Sequence, residues 1–402
     1  MAHTRWILPL LFIAVTSAAP TLPHRAATAV SAVIKAATDR GDVPGVAVAV
    51  VNKDGLLYNE AAGMSRTATH TPMAKDTIFN MASMTKPITS VAIMMLVDEG
   101  KLKLDDNVAK YLPKWKDPLV ISTFNEADGS YETRKAKRPI TIRHLLTHTS
   151  GLGYSFGSPI MAKLIEKTKK EELDLPLLFD PGDSWAYGPS TRVLGHVVEA
   201  ISGQKIDAFL ESKILSPLGM HDTSYHVPAA KVARVVAINR HEGDGKYVEL
   251  PVPGSIPATV QGDGGLYGTA SDYGLFLRML LNHGTLNGKR ILSEKSARMM
   301  LVSQTNVTVK VQQSTNQAVS RNFPVGAGRD KWGLGFQLAA ERKPNRRSPG
   351  SGTWAGIFNT HFFIDPVKEI GVVVMLQTLP FYDEPSMKLY ADVEEAVYKN
   401  LK

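Results

Sequence analysis

Apolar residues are spaced along the chain in two ways, and each spacing predicts a different kind of element. Ala26 to Arg40 reads as a helix ended by Gly41. Gly45 to Val51 is an apolar, β-branched run, and Leu56 to Ala62 can pair with it across Lys53-Asp54-Gly55, a hairpin turn signal. Helical spacing returns between Lys86 and Glu99, where Ile88, Val91, Ala92, Met95 and Leu96 form a stripe. Beyond Leu104-Asp105-Asp106 the chain alternates helical stretches with Pro/Gly turns, including Ile142 to His148, Thr191 to Ile201 and Lys205 to Leu215. Strand-like runs resume at Gly333 to Ala339, Ile357 to Phe363 and Gly371 to Gln377, before a last helix from Met387 to Lys399. The pattern predicts an α/β domain (20–105 plus 253–402) whose sheet takes strands from both chain ends, with a mainly helical domain (106–252) inserted.

The first nineteen residues break this pattern. Arg5 precedes the apolar stretch Trp6 to Val15, and the small residues Thr16 to Ala19 follow. That is the layout of a signal peptide cleaved near Ala18 or Ala19, too short to span a bilayer comfortably. The mature protein is therefore expected to be periplasmic or secreted, with no stable membrane span. The chain of 402 residues has no cysteine, so its core forms without disulfides. Asn306-Val307-Thr308 is a sequon that matters only in a eukaryotic secretory pathway. A net charge of +8 invites an anionic partner, but the basic residues are scattered and no arginine stripe with interleaved aromatics supports nucleic-acid binding.

The chemistry is concentrated in Asn80-Met81-Ala82-Ser83-Met84-Thr85-Lys86. A serine hydroxyl becomes a nucleophile only with a base in hydrogen-bond reach. Three residues on, at a helix start, Lys86 lies one turn along the same face. The helix N-terminus also favours negative charge developing at Ser83. A second Ser-x-x-Lys, Ser202 to Lys205, contains Gly203, which breaks the helix needed for alignment. Gly153-Tyr154-Ser155-Phe156-Gly157 matches the nucleophile elbow of α/β-hydrolases, but what precedes it is helical rather than a strand. His144 and His148 share helical spacing, yet Leu145 stands where a zinc-protease motif needs Glu, and no third ligand is evident. No metal or cofactor is expected.

Three further stretches could meet Ser83 in a cleft. Tyr187, in Trp185-Ala186-Tyr187-Gly188-Pro189-Ser190, lies on a loop before a helix and could relay the serine proton. Ser351 to Ile357 is small-residue-rich and leads into a strand, whose N–H could complete an oxyanion hole with that of Ser83. Gln261 to Leu266 is glycine-dense without a phosphate loop's setting, and reads as tight backbone at the site rim.

In this order the motifs resemble those of the serine β-lactamase and penicillin-binding-protein superfamily, and within it class C-like esterases known as family VIII carboxylesterases. The likeness runs from about residue 28 to 380. It rests on Ser83-Met84-Thr85-Lys86, Ile142 to Leu152, Pro181-Gly182 with Tyr187, Gly264-Gly265-Leu266 with Ala270 to Tyr273, and Trp354-Ala355-Gly356. The resemblance implies an antiparallel sheet flanked by helices. It also implies an acylated Ser83, base work shared by Lys86 and Tyr187, and an oxyanion hole made by the N–H groups of Ser83 and Ile357. A substrate pocket would include Tyr154, Trp354, Ala355 and Gly356. Two departures matter. Class C lactamases carry Tyr-x-Asn where this chain has Tyr187-Gly188-Pro189, and Lys-Thr-Gly where it has Trp354-Ala355-Gly356. Both losses favour short or apolar esters over β-lactams. The expectation is a serine esterase acting on a small-molecule ester. A β-lactamase, D-amino-acid peptidase or acyltransferase of the same fold is the alternative, and a catalytically silent binding protein a third.

Overall fold

The computed structural model describes residues 20–242 and 245–401; the expected signal peptide lies outside them. After helix α1 (His24–Asp39), strands β1 (Gly45–Asn52) and β2 (Leu56–Arg66) form the expected hairpin. Its turn is held by the Asn52 side chain, which accepts from the N–H groups of Asp54 and Gly55 at 2.9 and 2.8 Å. Strands β3 (Gly352–Gly356), β4 (Thr360–Asp365) and β5 (Ile370–Met375) come from the far end of the chain. The sheet runs Lys331–Trp332, Gln337–Leu338, β3, β4, β5, β1, β2 and Thr71–Pro72, with every pairing antiparallel. It is thus the mixed α/β fold expected, with its sheet closed by the β1–β5 pairing between the two chain ends.

Both faces of the sheet are covered, which is why its central strands are apolar at nearly every position. Side chains on a strand alternate between faces. On one face Val46, Val48, Val50, Val372 and Val374 pack beneath α1 and the last helix, α6 (Glu384–Lys399). On the other, Ala47, Ala49, Val51, Val373 and Met375 join a larger core with α2 (Thr85–Asp98) and α5 (Ala270–Leu281). Helix α2 is buried at every residue from Thr85 to Met94, so the polar groups it carries must find partners inside the protein. Thr89 Oγ1 donates to Gly262 O at 2.6 Å and Ser90 Oγ to Lys86 O at 2.9 Å.

Several elements differ from the expected ones. Residues 333–339 are not one strand. Gly333 N–H donates to Phe336 O at 2.8 Å, and the resulting tight turn makes a hairpin of Lys331–Trp332 and Gln337–Leu338. Ile357 does not open a strand either. The small-residue stretch before it is itself β3, Ile357 to Asn359 turn the chain with Asn359 at φ +59°, and β4 starts at Thr360. The segment expected to be mainly helical contains a hairpin, Leu119–Phe124 with Tyr131–Lys135, and strands Asn239–His241 and Tyr247–Glu249, the first of which pairs in parallel with Thr378–Leu379. Its helices include α3 (Ile142–Leu146) and α4 (Ser190–Ser202). Helix α3 stops short of His148, which sits at φ +55°. His144 and His148 therefore do not share a helix face. Among the described residues no helix is long and apolar enough to cross a membrane.

Candidate active site

Ser83 sits in a single helical turn, Ala82–Met84, that leads directly into α2. The turn is clamped on both sides. Ala82 takes φ +44°, unusual for a residue with a side chain, and its N–H donates to Asn80 Oδ1 at 3.0 Å. Met81 N–H donates to Leu266 O at 2.9 Å, and Met84 O accepts from Tyr273 Oη at 3.1 Å. Asn80 itself is fixed by Gln377 Oε1 and Tyr267 Oη. Between the occupied N–H groups of Ala82 and Met84, that of Ser83 lies in the first turn, where no intrahelical acceptor exists.

One turn on, Lys86 Nζ donates to Ser83 Oγ at 2.9 Å and to the main-chain oxygen of Asp263 at 2.7 Å. Lys86 is only 2% exposed. The Asp263 carboxylate is in turn held by Tyr154 Oη on one oxygen and by Arg192 Nε, at 3.2 Å, on the other. Burial alone would raise the pKa of Asp263, but the charges of Lys86 and Arg192 hold it below the usual carboxylate range. The opposite happens to Tyr154, whose phenol is pushed well up by burial and by the Asp263 charge. Gln261 to Leu266 is thus more than a tight rim, because its backbone aims a carbonyl at Lys86. Tyr154, expected as pocket lining, has its hydroxyl committed to Asp263 and offers only a ring, 5.2 Å from Lys86 Nζ.

Tyr187 approaches from the other side, its ring 4.9 Å from Lys86 Nζ. Its N–H donates to Gln312 Oε1 at 3.0 Å, and its hydroxyl accepts from Trp354 Nε1 at 3.2 Å. Trp354 is 5% exposed, packed on Tyr187 and Trp332 with ring centroids 4.8 Å from each. Its indole is therefore directed at the tyrosine. Buried His148 also faces this cluster, 5.1 Å from the Tyr187 ring; burial and the Lys86 charge keep it neutral.

The end of β3 lies against the serine turn. A Cβ built on Gly356 would stand 2.3 Å from Met81 O and 2.4 Å from Thr360 Oγ1, so only glycine allows this approach. Ile357 follows immediately, which brings the end of the strand beside Ser83. Gly356→Ala is expected to push β3 off the turn, with a stability loss of ~1–3 kcal/mol and a kcat loss on the order of 10²-fold. Thermal unfolding and steady-state kinetics on the same preparation check both.

The other two serine motifs lead elsewhere. No strand precedes Ser155, whose hydroxyl donates to Glu172 Oε1 at 3.1 Å. Ser202 ends α4 at Gly203, φ +70°, while Lys205 lies 3.9 Å from Glu199. The sequence by itself does not mark Asp263, Arg192 or Gln312 as site residues. Asp263 stands out only by its glycine neighbours, and nothing local marks Gln312.

The family model described as Beta-lactamase matches residues 30–396. The chain belongs to the beta-lactamase family. This β-lactamase-like serine hydrolase is 32% identical over 368 residues to an uncharacterised protein of Mycobacterium tuberculosis, covering 86% of this chain and 89% of the relative. It is 30% identical over 395 residues to esterase EstB of Burkholderia gladioli, covering 88% and 90%. Among solved structures, unliganded simvastatin synthase LovD of Aspergillus terreus shares the fold, with a TM-score of 0.80, 24% identity, and coverage of 93% and 98%.

Proposed function

We propose that the protein is a carboxylesterase that works through an acyl-enzyme on Ser83. The observation that carries this reading is the 2.9 Å contact between Ser83 Oγ and the buried amine of Lys86, beside a tyrosine whose hydroxyl is held by an indole rather than by a cation. Ser83 Oγ attacks the ester carbonyl carbon as its proton passes to the Lys86–Tyr187 pair. The N–H groups of Ser83 and Ile357 receive the oxyanion. Collapse breaks the bond to the alcohol oxygen, which takes the proton back and leaves. Water, activated by the same pair, then attacks the acyl-serine and frees the acid. The kinship with EstB supports ester chemistry. Acyl transfer to an alcohol differs only in what attacks the acyl-serine, and the name of the fold neighbour, simvastatin synthase, favours keeping it as a second reading.

Specificity follows from what stands at 354 and 355. A carboxylate entering beside Trp354 and Ala355 meets neither a cation nor a hydroxyl from these positions, and its desolvation goes uncompensated. Expected is a kcat/KM for p-nitrophenyl acetate exceeding that for nitrocefin by on the order of 10²-fold, the scale of one missing charge-assisted hydrogen bond. Parity between the two would place the enzyme with the lactamases. Repeating the ester assay with an added alcohol and measuring the new ester separates hydrolysis from transfer.

A further inference from the structure

The stretch Gly153-Tyr154-Ser155-Phe156-Gly157, which is no nucleophile elbow, lies beneath another part of the chain. Residues 301–330, between the helix Glu294–Met300 and the strand Lys331–Trp332, form no helix or strand of their own beyond isolated bridges. Excursions of that length without regular structure are uncommon in compact domains and usually functional. This one is laid onto the stretch by Thr315, whose N–H donates to Phe156 O at 3.2 Å and whose Oγ1 donates to Ser155 O at 3.0 Å. The Phe323 ring stacks on that of Phe156 with centroids 6.0 Å apart. Gly157 leaves the space for this approach, since a Cβ there would stand 3.2 Å from Gln312 Cβ and 3.7 Å from Phe323 Cζ.

Gln312 and Phe323 form an antiparallel bridge, with Gln312 N–H on Phe323 O at 2.7 Å and Phe323 N–H on Gln312 O at 3.3 Å. Both side chains reach Tyr187. The Gln312 amide is bound at both its ends: Nε2 donates to Lys310 O at 3.2 Å, and Oε1 accepts from Tyr187 N–H at 3.0 Å. The Phe323 ring meets that of Tyr187 edge-on at 5.8 Å. On its other side the Tyr187 carbonyl accepts from Tyr154 N–H at 3.1 Å. The Tyr187 main chain is thus held between two partners, and the hold on its N–H is made by a side chain 125 residues away. Gln312 is buried, so no bulk water stands ready to replace its oxygen.

We propose that Gln312 is a positioning residue for Tyr187, and that the 301–330 excursion delivers it. The inference deepens the proposed mechanism and rests on it, because placing Tyr187 matters only if its hydroxyl works on the Ser83 proton. Without the Oε1 acceptor the Tyr187 N–H is left buried and unpaired, and the loop relieves that only by moving. The ring and hydroxyl carried by that peptide move with it, and a displacement of about 1 Å at a reacting group can cost on the order of 10²-fold in rate.

Gln312→Met keeps the length of the side chain and removes the acceptor. With p-nitrophenyl acetate, well below the thermal midpoint, it should lower kcat about tenfold or more in the unmodified background and less than about twofold in the Tyr187→Phe background, where no hydroxyl is left to place. A merely structural role would cost the same in both. Gly157→Val acts from the other side of the contact, crowding Gln312 Cβ without altering its amide. It should give a similar loss that does not add to that of Gln312→Met and that also vanishes with Tyr187→Phe, which keeps the test open should Gln312→Met fold poorly. The inference is overturned if both variants stay within about twofold of the unmodified kcat, or if their losses persist in the Tyr187→Phe background. Full activity of Tyr187→Phe itself would instead overturn the base role of Tyr187, and this inference with it.

Discussion

Ser83→Ala should abolish ester turnover and covalent labelling by a fluorophosphonate, with kcat falling on the order of 10⁴- to 10⁶-fold, the scale seen when a serine hydrolase loses its nucleophile. The size of the effect follows from the geometry. Among the described residues only Ser83 combines a lysine amine at 2.9 Å with a place in the turn that leads into a buried helix. Ser155 donates instead to the Glu172 carboxylate, and Ser202 sits at a helix C-terminus, where the dipole disfavours an oxyanion. Ser155→Ala and Ser202→Ala should accordingly keep most of the activity. Peptide mapping of the labelled protein decides the matter, and a label on Ser155 would overturn the proposed mechanism. The fold must survive Ser83→Ala for the comparison to hold. Ser83 is half-buried and its hydroxyl has Lys86 as partner, so removing it costs little packing.

How much of this site can be read from the sequence depends on the distance over which each contact is made. Ser83 and Lys86 meet because helix geometry fixes what lies three residues apart, so their spacing already contains their contact. The hairpin of β1 and β2 is equally local, and its Asp-Gly signal was enough. The strand beside Ser83 was placed one element late. Ser351 to Gly356 looks like a flexible approach because it is poor in bulky residues, yet it is small for a different reason. Another backbone passes within reach of Gly356, and a side chain there would collide with Met81 O. The hairpin at 119–135 is hard to read although Leu119 to Phe124 is rich in β-branched residues, because it lies among turns in a segment dominated by helical patterns. The support around Lys86 is the least legible part. Asp263 presents a main-chain oxygen, which any residue type carries, and its side-chain partners Tyr154 and Arg192 are 109 and 71 residues away. Sequence motifs identify residues that react. They say little about residues that hold those in place.

Trp354 shows the same limit from the opposite direction. Its replacement of a lysine was legible as a lost cation, and the resemblance implied an apolar pocket wall. In the structure the indole N–H is spent on Tyr187 Oη, so the residue acts on the proposed base as well as on substrate choice. Exchanging Trp354 for lysine would change both at once, which makes that variant a poor test of specificity alone. Trp354→Phe is cleaner, since it keeps the ring packing on Tyr187 and Trp332 and removes only the donor.

Lys86→Ala and Tyr187→Phe should each lower kcat by on the order of 10²-fold or more, within the usual scale of acid–base loss. The proposed mechanism makes the two one unit. Lys86 Nζ touches Ser83 Oγ and lies 4.9 Å from the Tyr187 ring, and both residues are almost fully buried. In the proposed mechanism the two share the serine proton, so removing one partner already breaks the relay. The double variant should therefore lose little beyond the worse single one. Trp354→Phe should follow the same logic at smaller size. Losing one hydrogen bond to the Tyr187 oxygen is worth ~0.5–1.5 kcal/mol, roughly 2- to 13-fold in kcat, and the effect should vanish in the Tyr187→Phe background because the acceptor is gone. Steady-state kinetics on the five variants and the unmodified enzyme, read as double-mutant cycles, check both statements. Fully additive losses for Lys86 and Tyr187 would show two independent groups, and a Trp354→Phe effect that persists without the Tyr187 hydroxyl would show that the indole acts on the substrate instead.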